Sequence, residues 1–211
     1  MHFGRRRAVF HPGMKQYVYS SRENICIIDL TKTLEALNEA VAEMKKVIAA
    51  GGVILFVGVN KYSSDAVKKA AVALNMPYVV ERWLGGTMTN FKVITSRVKY
   101  LENLEMEKLE NGFAKYTKKE RILKDREILK MKEKYDGIRN FQKIPEIIFV
   151  SSLRDSETAI REAKRMKVKA IGIVNTDSDP KSLNFAIPAN DNSARSIEMI
   201  LDIIVKNLSL K

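Results

Sequence analysis

The sequence predicts an α/β fold: an open parallel sheet flanked by helices, a three-layer Rossmann- or flavodoxin-like arrangement, with an inserted, protruding helical hairpin. Three observations carry this expectation. Short apolar runs recur at Val53–Val57, Ile147–Val150 and Ala170–Val174, and strands apolar on both faces suit the middle of a parallel sheet. Between the runs, apolar residues fall three and four apart, the period of a helix with one buried face. From Phe91 to about Tyr135 the alternation stops, and residues 97–134 hold 20 charged side chains in 38 positions, too many for burial on all sides.

The elements follow in order. Residues 1–24 read as a basic, turn-rich arm broken at His11-Pro12-Gly13, in which Arg5, Arg6, Arg7, Lys15 and Arg22 oppose only Glu23. Ile25–Leu30 reads as the first strand, with Asp29 or Thr31 placed to cap the next helix. That helix carries Leu34, Leu37, Val41, Met44 and Ile48 on one face, and Gly51-Gly52 closes it. Val53–Gly58 is the next strand, Ser63 or Ser64 caps a helix ending at Asn75-Met76-Pro77, and Tyr78–Val80 is a short strand. Two β-α-β units in succession imply an open sheet with right-handed crossovers.

The interruption reads as two helices. Val93, Ile94, Val98, Leu101 and Leu104 line the first, Asn111-Gly112 marks the turn, and Ile122, Leu123, Ile128 and Leu129 line the second. Thr117 and Glu120 have the spacing of a capping box. The alternation then resumes with strand Ile147–Val150, a helix from about Asp155 to Lys167 with Ala159, Ile160, Ala163 and Met166 on one face, strand Ala170–Val174, and a short strand at Phe185-Ala186-Ile187. Asn192 or Ser193 caps the closing helix, whose inner face is Ile197, Ile200, Leu201 and Ile204. The organisation is therefore an arm over 1–24, an α/β domain over 25–92 and 136–211, and an inserted hairpin over 93–135.

Charge narrows the function. Against 25 acidic residues stand 37 basic ones, a net +12 with a pI near 9.7; such a surplus favours polyanions, nucleic acid above all. An apolar fraction of 45% and a mean hydropathy of −0.20 describe a globular chain. The one cysteine, Cys26, rules out an internal disulfide framework and reads as a buried thiol in a reducing, cytosol-like compartment. The basic start Met1–Arg7 is followed by no apolar stretch, so it is not an export signal, and the longest apolar run, Val53–Val59, is too short to span a bilayer.

Motifs for chemistry are weak. Gly58 stands where doubly wound folds place a ligand, but Gly58-Val59-Asn60-Lys61-Tyr62-Ser63 has a single glycine and fits neither a dinucleotide fingerprint nor a phosphate loop. Asp177 and Asp179 suit either a magnesium site or a turn in which Asx side chains bond their own backbone, the latter favoured. His2, His11 and Cys26 match no zinc spacing, and two histidines leave little for a triad. No catalytic residue, metal, cofactor, membrane or small-molecule substrate is expected. The rival reading is an α/β enzyme holding a nucleotide at Gly58 and the Asp177–Asp179 loop.

Binding features are stronger. Arg82-Trp83-Leu84-Gly85-Gly86-Thr87-Met88-Thr89-Asn90-Phe91-Lys92 is glycine-rich, aromatic and basic at once. Arg82 and Lys92 suit phosphates, Asn90 suits RNA, and Trp83 either stacks on a base or anchors the loop to its own domain. Gly85 and Gly86 remove side chains where a backbone approaches closely. Arg5, Arg6 and Arg7, with Lys15 and Arg22, read as a flexible arm that gains affinity by releasing counterions from phosphates.

Several segments together resemble the bacterial-type small ribosomal subunit protein two family: His2-Phe3-Gly4, Pro12 with Met14-Lys15, Ile54–Gly58, Arg82–Phe91, Thr117–Glu120, Asn175-Thr176-Asp177-Ser178-Asp179-Pro180 and Ile187-Pro188-Ala189-Asn190-Asp191. They stand in the family's order along nearly the whole chain. The resemblance implies a non-catalytic structural protein at the back of the small subunit, between head and body, in a cytoplasmic or organellar ribosome. It implies contacts with small-subunit rRNA, with neighbouring small-subunit proteins, and with the large messenger-binding protein of the subunit. There are departures: members usually carry a short helical segment before His2-Phe3-Gly4, Arg5 stands where a second His is common, and His11 and Gly13 replace the usual Asn and Lys around Pro12.

Overall fold

The computed structural model of the chain describes residues 1–141 and 143–209. Three short strands come first: β1 (Phe3–Arg6), β2 (Val18–Arg22) and β3 (Ile25–Ile28). They pair antiparallel in the order β1-β3-β2. Glu23 and Asn24, both at positive φ (49° and 61°), make the tight link from β2 to β3, the conformation that a two-residue hairpin needs. Two expectations are corrected here. The arm is not flexible, because its strands are paired. The strand at Ile25 does not open the parallel sheet; only Cys26 and Ile28 are buried, a one-faced pattern that suits a small separate sheet.

Helix α1 (Leu30–Ala49) starts at Asp29, whose side chain accepts from the Thr31 amide at 3.0 Å. Its buried face is Thr33, Leu37, Ala40, Val41 and Met44. Leu34, expected inside, is exposed; the buried hydroxyl of Thr33, donating to the Pro188 carbonyl at 2.6 Å, turns the face away from it.

The main sheet then builds from β4 (Ile54–Val57), α2 (Ser64–Ala73) and β5 (Tyr78–Val79). After the hairpin come β6 (Ile147–Val150), α5, β7 (Lys169–Val174), β8 (Phe185–Pro188) and α6 (Ala194–Ser209); α5 spans Glu157–Arg165. All neighbouring strands run parallel in the order β5-β4-β6-β7-β8. Successive side chains alternate between two cores. Ile54, Phe56, Ile147, Phe149, Ile171 and Ile173 pack with α1, α2 and α6. Leu55, Val57, Ile148, Val150 and Val174 pack with α5, Trp83, Met88 and the base of the hairpin. Sheet and two covering layers give the three-layer α/β fold that the sequence predicts.

The hairpin is α3 (Phe91–Asn111) and α4 (Lys118–Tyr135), turned at Gly112 with φ +54°. The Thr117–Glu120 capping box forms in both directions. Its seam is narrower than expected: Leu101, Leu104, Phe113 and Ile128 make a small core, while Val93, Ile122, Leu123 and Leu129 are exposed. Ile94 and Val98 at its base pack into the core of the main sheet, and beyond them the two helices have only each other to bury against, so one apolar stripe per helix suffices.

Candidate nucleic-acid interface

The loop from Arg82 to Lys92 joins β5 to α3 and is shaped by one residue, Glu162 on α5. The Glu162 side chain is buried and accepts at Oε1 from Trp83 Nε1 (2.9 Å) and the Gly86 amide (2.8 Å). At Oε2 it accepts from the Met88 and Thr89 amides (3.1 and 3.2 Å) and the Thr89 hydroxyl (3.2 Å). Burial pushes its carboxyl up, and the bonds from Trp83, Gly86, Met88 and Thr89 outweigh that, holding it below its ordinary value. Gly86 sits at φ +93°, where a side chain is strained.

Trp83 is therefore the loop's anchor, 9% exposed. The amides of Gly86, Met88 and Thr89 face an internal carboxylate, so the loop does not offer them to an outside anion. What it offers outward is Arg82, Asn90, Lys92 and Gly85, all exposed. Asn90 makes no side-chain cap bond to α3. Among the described residues Gly85 has no neighbouring atom within 4 Å of where a Cβ would sit, so none of them requires glycine there.

The N-terminal residues divide. Arg5 points inward: its Nη2 lies 3.2 Å from Asp191 and 2.9 Å from Asn192 Oδ1, and its Nε 3.5 Å from Asp177. Asp191, 1% exposed, also accepts from Asn175 (2.7 Å) and Ser152 (2.8 Å). Arg5 thus closes a buried polar cluster and is not a free cation for phosphate. Arg6, Arg7, Lys15 and Arg22 are exposed. Among the described residues, no carboxylate lies within 4.0 Å of any of these four, nor of Arg82 or Lys92.

Both groups belong to one end of the molecule. The Arg5 amide donates to Thr176 Oγ1 and the His11 amide to the Thr176 carbonyl, just past β7; the Arg82 loop leaves β5. The carboxyl ends of the parallel strands therefore carry both, β5 at one edge and β7 nearer the other. Between the N-terminal segment and α5 lies a hollow of about 620 Å³ lined by Val9, Arg154, Arg161, Lys164 and Asp177.

The nucleotide alternative loses its two supports. A Cβ on Gly58 would lie 2.6 Å from Val67 Cγ2, so this glycine admits α2 against β4. The crevice where the strand order switches, about 480 Å³, sets Glu81 and Asp155 against Arg82 alone. Asp177 is bound by Arg154 at 2.9 Å, and Asp179 accepts from the Lys181 amide at 3.0 Å, the turn reading of that loop. Among the described residues no group of three or more His, Cys, Asp or Glu is placed to hold a metal ion, and no helix is long and apolar enough to cross a membrane.

Sequence reasoning missed Glu162 and Asp191 as organising residues. Glu162 left one signal: a carboxylate among Ala159, Ile160 and Ala163 on the buried face of a short helix.

A family profile described as Ribosomal protein S2 matches residues 1–209. The small ribosomal subunit protein uS2 of Mycoplasmopsis synoviae (strain 53) is 42% identical over 205 residues, covering 96% of this chain and 69% of that protein. The uS2 of Rhodopirellula baltica is 38% identical over 201 residues, covering 95% and 77%. That of Vibrio cholerae serotype O1 is 37% identical over 202 residues, covering 96% and 84%.

Proposed function

The chain belongs to the ribosomal protein S2 family and is a structural, RNA-binding protein of the small ribosomal subunit, and we propose that it grips small-subunit rRNA through cations fixed on the carboxyl-end rim of its sheet. The observation that carries this is the contrast inside one loop: five donors bind Glu162 inward, while Arg82 and Lys92 stay exposed without a carboxylate partner. Such a loop presents charge at a set position without losing conformational freedom on binding. Arg6, Arg7, Lys15 and Arg22 extend the rim, Asn90 adds a polar contact, and Gly85 lets RNA come close to the backbone. Trp83, Gly86 and Arg5 act through the shape they impose. The mechanism is neutralisation of phosphates and fit to RNA shape, with no chemical step.

On this reading the protein supports assembly of the subunit in a cytoplasmic or organellar ribosome. It meets neighbouring small-subunit proteins there, the large messenger-binding protein among them. Sedimentation of a lysate containing the tagged chain tests the function. The chain should travel with small subunits, and Arg82→Ala with Lys92→Ala should release it at lower salt than the unaltered protein. A chain that stays at the top of the gradient, or one stabilised against heat by a nucleotide, overturns the reading.

A further inference from the structure

Phe3, Arg6 and Arg22 share one face of the three-stranded sheet. In the three-stranded sheet Arg6 lies opposite Ile25 on β3, and Ile25 opposite Arg22 on β2. Phe3 lies opposite Ile27, and Ile27 opposite Ser20. Residues directly opposite in a sheet share a face, and so do alternate residues of one strand. Cys26 and Ile28 are buried, so Ile25 and Ile27 mark the other, outward face. That face therefore carries a row Arg6-Ile25-Arg22 beside a row Phe3-Ile27-Ser20.

We propose that this outward face is a stacking platform for unpaired nucleotides of RNA, a proposal that rests on the RNA-binding reading and gives it a substrate class. Phe3 is 52% exposed and its ring lies 4.3 Å from that of His2, which widens the aromatic surface. Tyr19, at the β2 irregularity, is 79% exposed. Arg6 and Arg22 are about 10 Å apart at their backbones, two strand spacings, and flank the apolar strip. Glu23 is the one carboxylate among residues 1–24, so the face complements phosphate. A flat sheet with aromatic rings and guanidinium groups holds splayed bases by stacking, whereas a duplex keeps its bases inside and engages the cations alone. An added protein strand is the poorer occupant. Both edge strands carry an irregularity, between Phe3 and Arg6 and between Val18 and Ser20, and bulged edges resist strand addition.

The test measures binding of the full chain to an unstructured oligouridylate and to a blunt RNA duplex, each at two salt concentrations. The unaltered chain should prefer the single strand. Phe3→Ala and Phe3→Leu should each weaken oligouridylate binding about tenfold and duplex binding hardly at all, with Trp83 emission unchanged as a check on the fold. Arg6→Ala with Arg22→Ala should weaken both and reduce the single-strand salt slope by about 1.4. Equal affinity for the two RNAs, or Phe3→Leu binding like the unaltered chain, overturns the platform while leaving the rim reading intact. Phe3→Leu that keeps oligouridylate affinity but loses incorporation into subunits assigns the face to a protein neighbour and also overturns it. Loss of binding to every RNA by the unaltered chain overturns both readings.

Discussion

The hairpin and the rim hold similar kinds of charge and use them differently. Residues 97–134 contain 12 basic and 8 acidic side chains. Three ion pairs cross from α3 to α4: Lys108–Asp125 (2.8 Å), Lys124–Glu107 (3.2 Å) and Lys132–Glu105 (2.8 Å). Lys124 also lies 3.9 Å from the Tyr116 ring centroid. On the rim, Arg82 and Lys92 flank a loop whose one carboxylate partner, Glu162, is occupied by Trp83 and by amides. The density of basic residues along a sequence therefore does not locate the outward field. What differs is how the cations are held: among the described residues Lys108, Lys124 and Lys132 are tied across the hairpin and its other nine cations have no carboxylate within 4.0 Å, whereas Arg82 and Lys92 stand on a loop that Glu162 fixes from within.

The strongest way to break this contrast is to remove Glu162. Glu162→Ala leaves five donors without their acceptor, two of them on the buried residues Trp83 and Met88. It should destabilise the protein by about 3 kcal/mol, shift the emission of the sole tryptophan to the red, and weaken subunit binding. The α3–α4 ion pairs should persist, seen as unchanged amide-exchange protection in the hairpin. If stability falls while RNA affinity stays, the loop is not the contact surface.

Exchanging cations between the two regions comes next. Arg82→Ala with Lys92→Ala should lower the salt slope of rRNA binding by about 2, one per phosphate contact. Lys108→Ala with Lys132→Ala should leave the slope unchanged and cost the fold under about 1 kcal/mol each, since these pairs are half-exposed. Equal slopes for the two variants would mean that the hairpin grips RNA as well as the rim does.

A smaller pair of changes separates shape from contact within the loop. Gly86→Ala meets φ +93° and an Asn90 Cβ at 3.1 Å, and should cost about 1 kcal/mol or more in a denaturant melt. Gly85→Ala meets open space and should melt within about 0.5 kcal/mol of the unaltered protein, yet weaken subunit binding where RNA approaches the backbone. A Gly85→Ala protein that binds normally removes the close approach from the reading.

Much of this was legible from local signals. Strands β4, β6 and β7 announced a parallel sheet because both of their faces are apolar. The capping box at Thr117 and the turn at Gly112 depend on a few adjacent residues. What escaped was non-local. The apolar run at Ile25 shows a strand but not which sheet it joins. Arg5, Arg6 and Arg7 are one residue type in a row, and only strand register sends the first to Asp191 and leaves the second outside. Leu123 and Leu129 carry a helical period, yet among the described residues nothing beyond α3 is there to cover them. Arg82 and Lys92 were readable as exposed cations; the carboxylate that positions their loop lies 70 or more residues away in sequence, the Thr89–Glu162 separation alone being 73.

Acid separates the two regions most finely. Glu105 is held down at about 2, first by its hydrogen bonds from Arg139, with burial opposing and Lys132 assisting. An unfolded glutamate titrates near about 4.3, so the folded state takes up its proton later than the unfolded one. The stabilisation from Glu105 is thus complete above about pH 4.3 and is lost as pH falls toward 2. Amide exchange in α3 and α4 should quicken over that window, and Glu105→Gln should abolish the step. Glu162 is also held below its ordinary value, so the Trp83 loop should loosen on acidification too, reported by tryptophan emission, with a step that Glu105→Gln leaves in place. Two separable steps would mark hairpin and rim as energetically distinct units. A single step in both signals, moved as a whole by Glu105→Gln, would show one cooperative structure, and the division of charge between them would then carry no functional meaning.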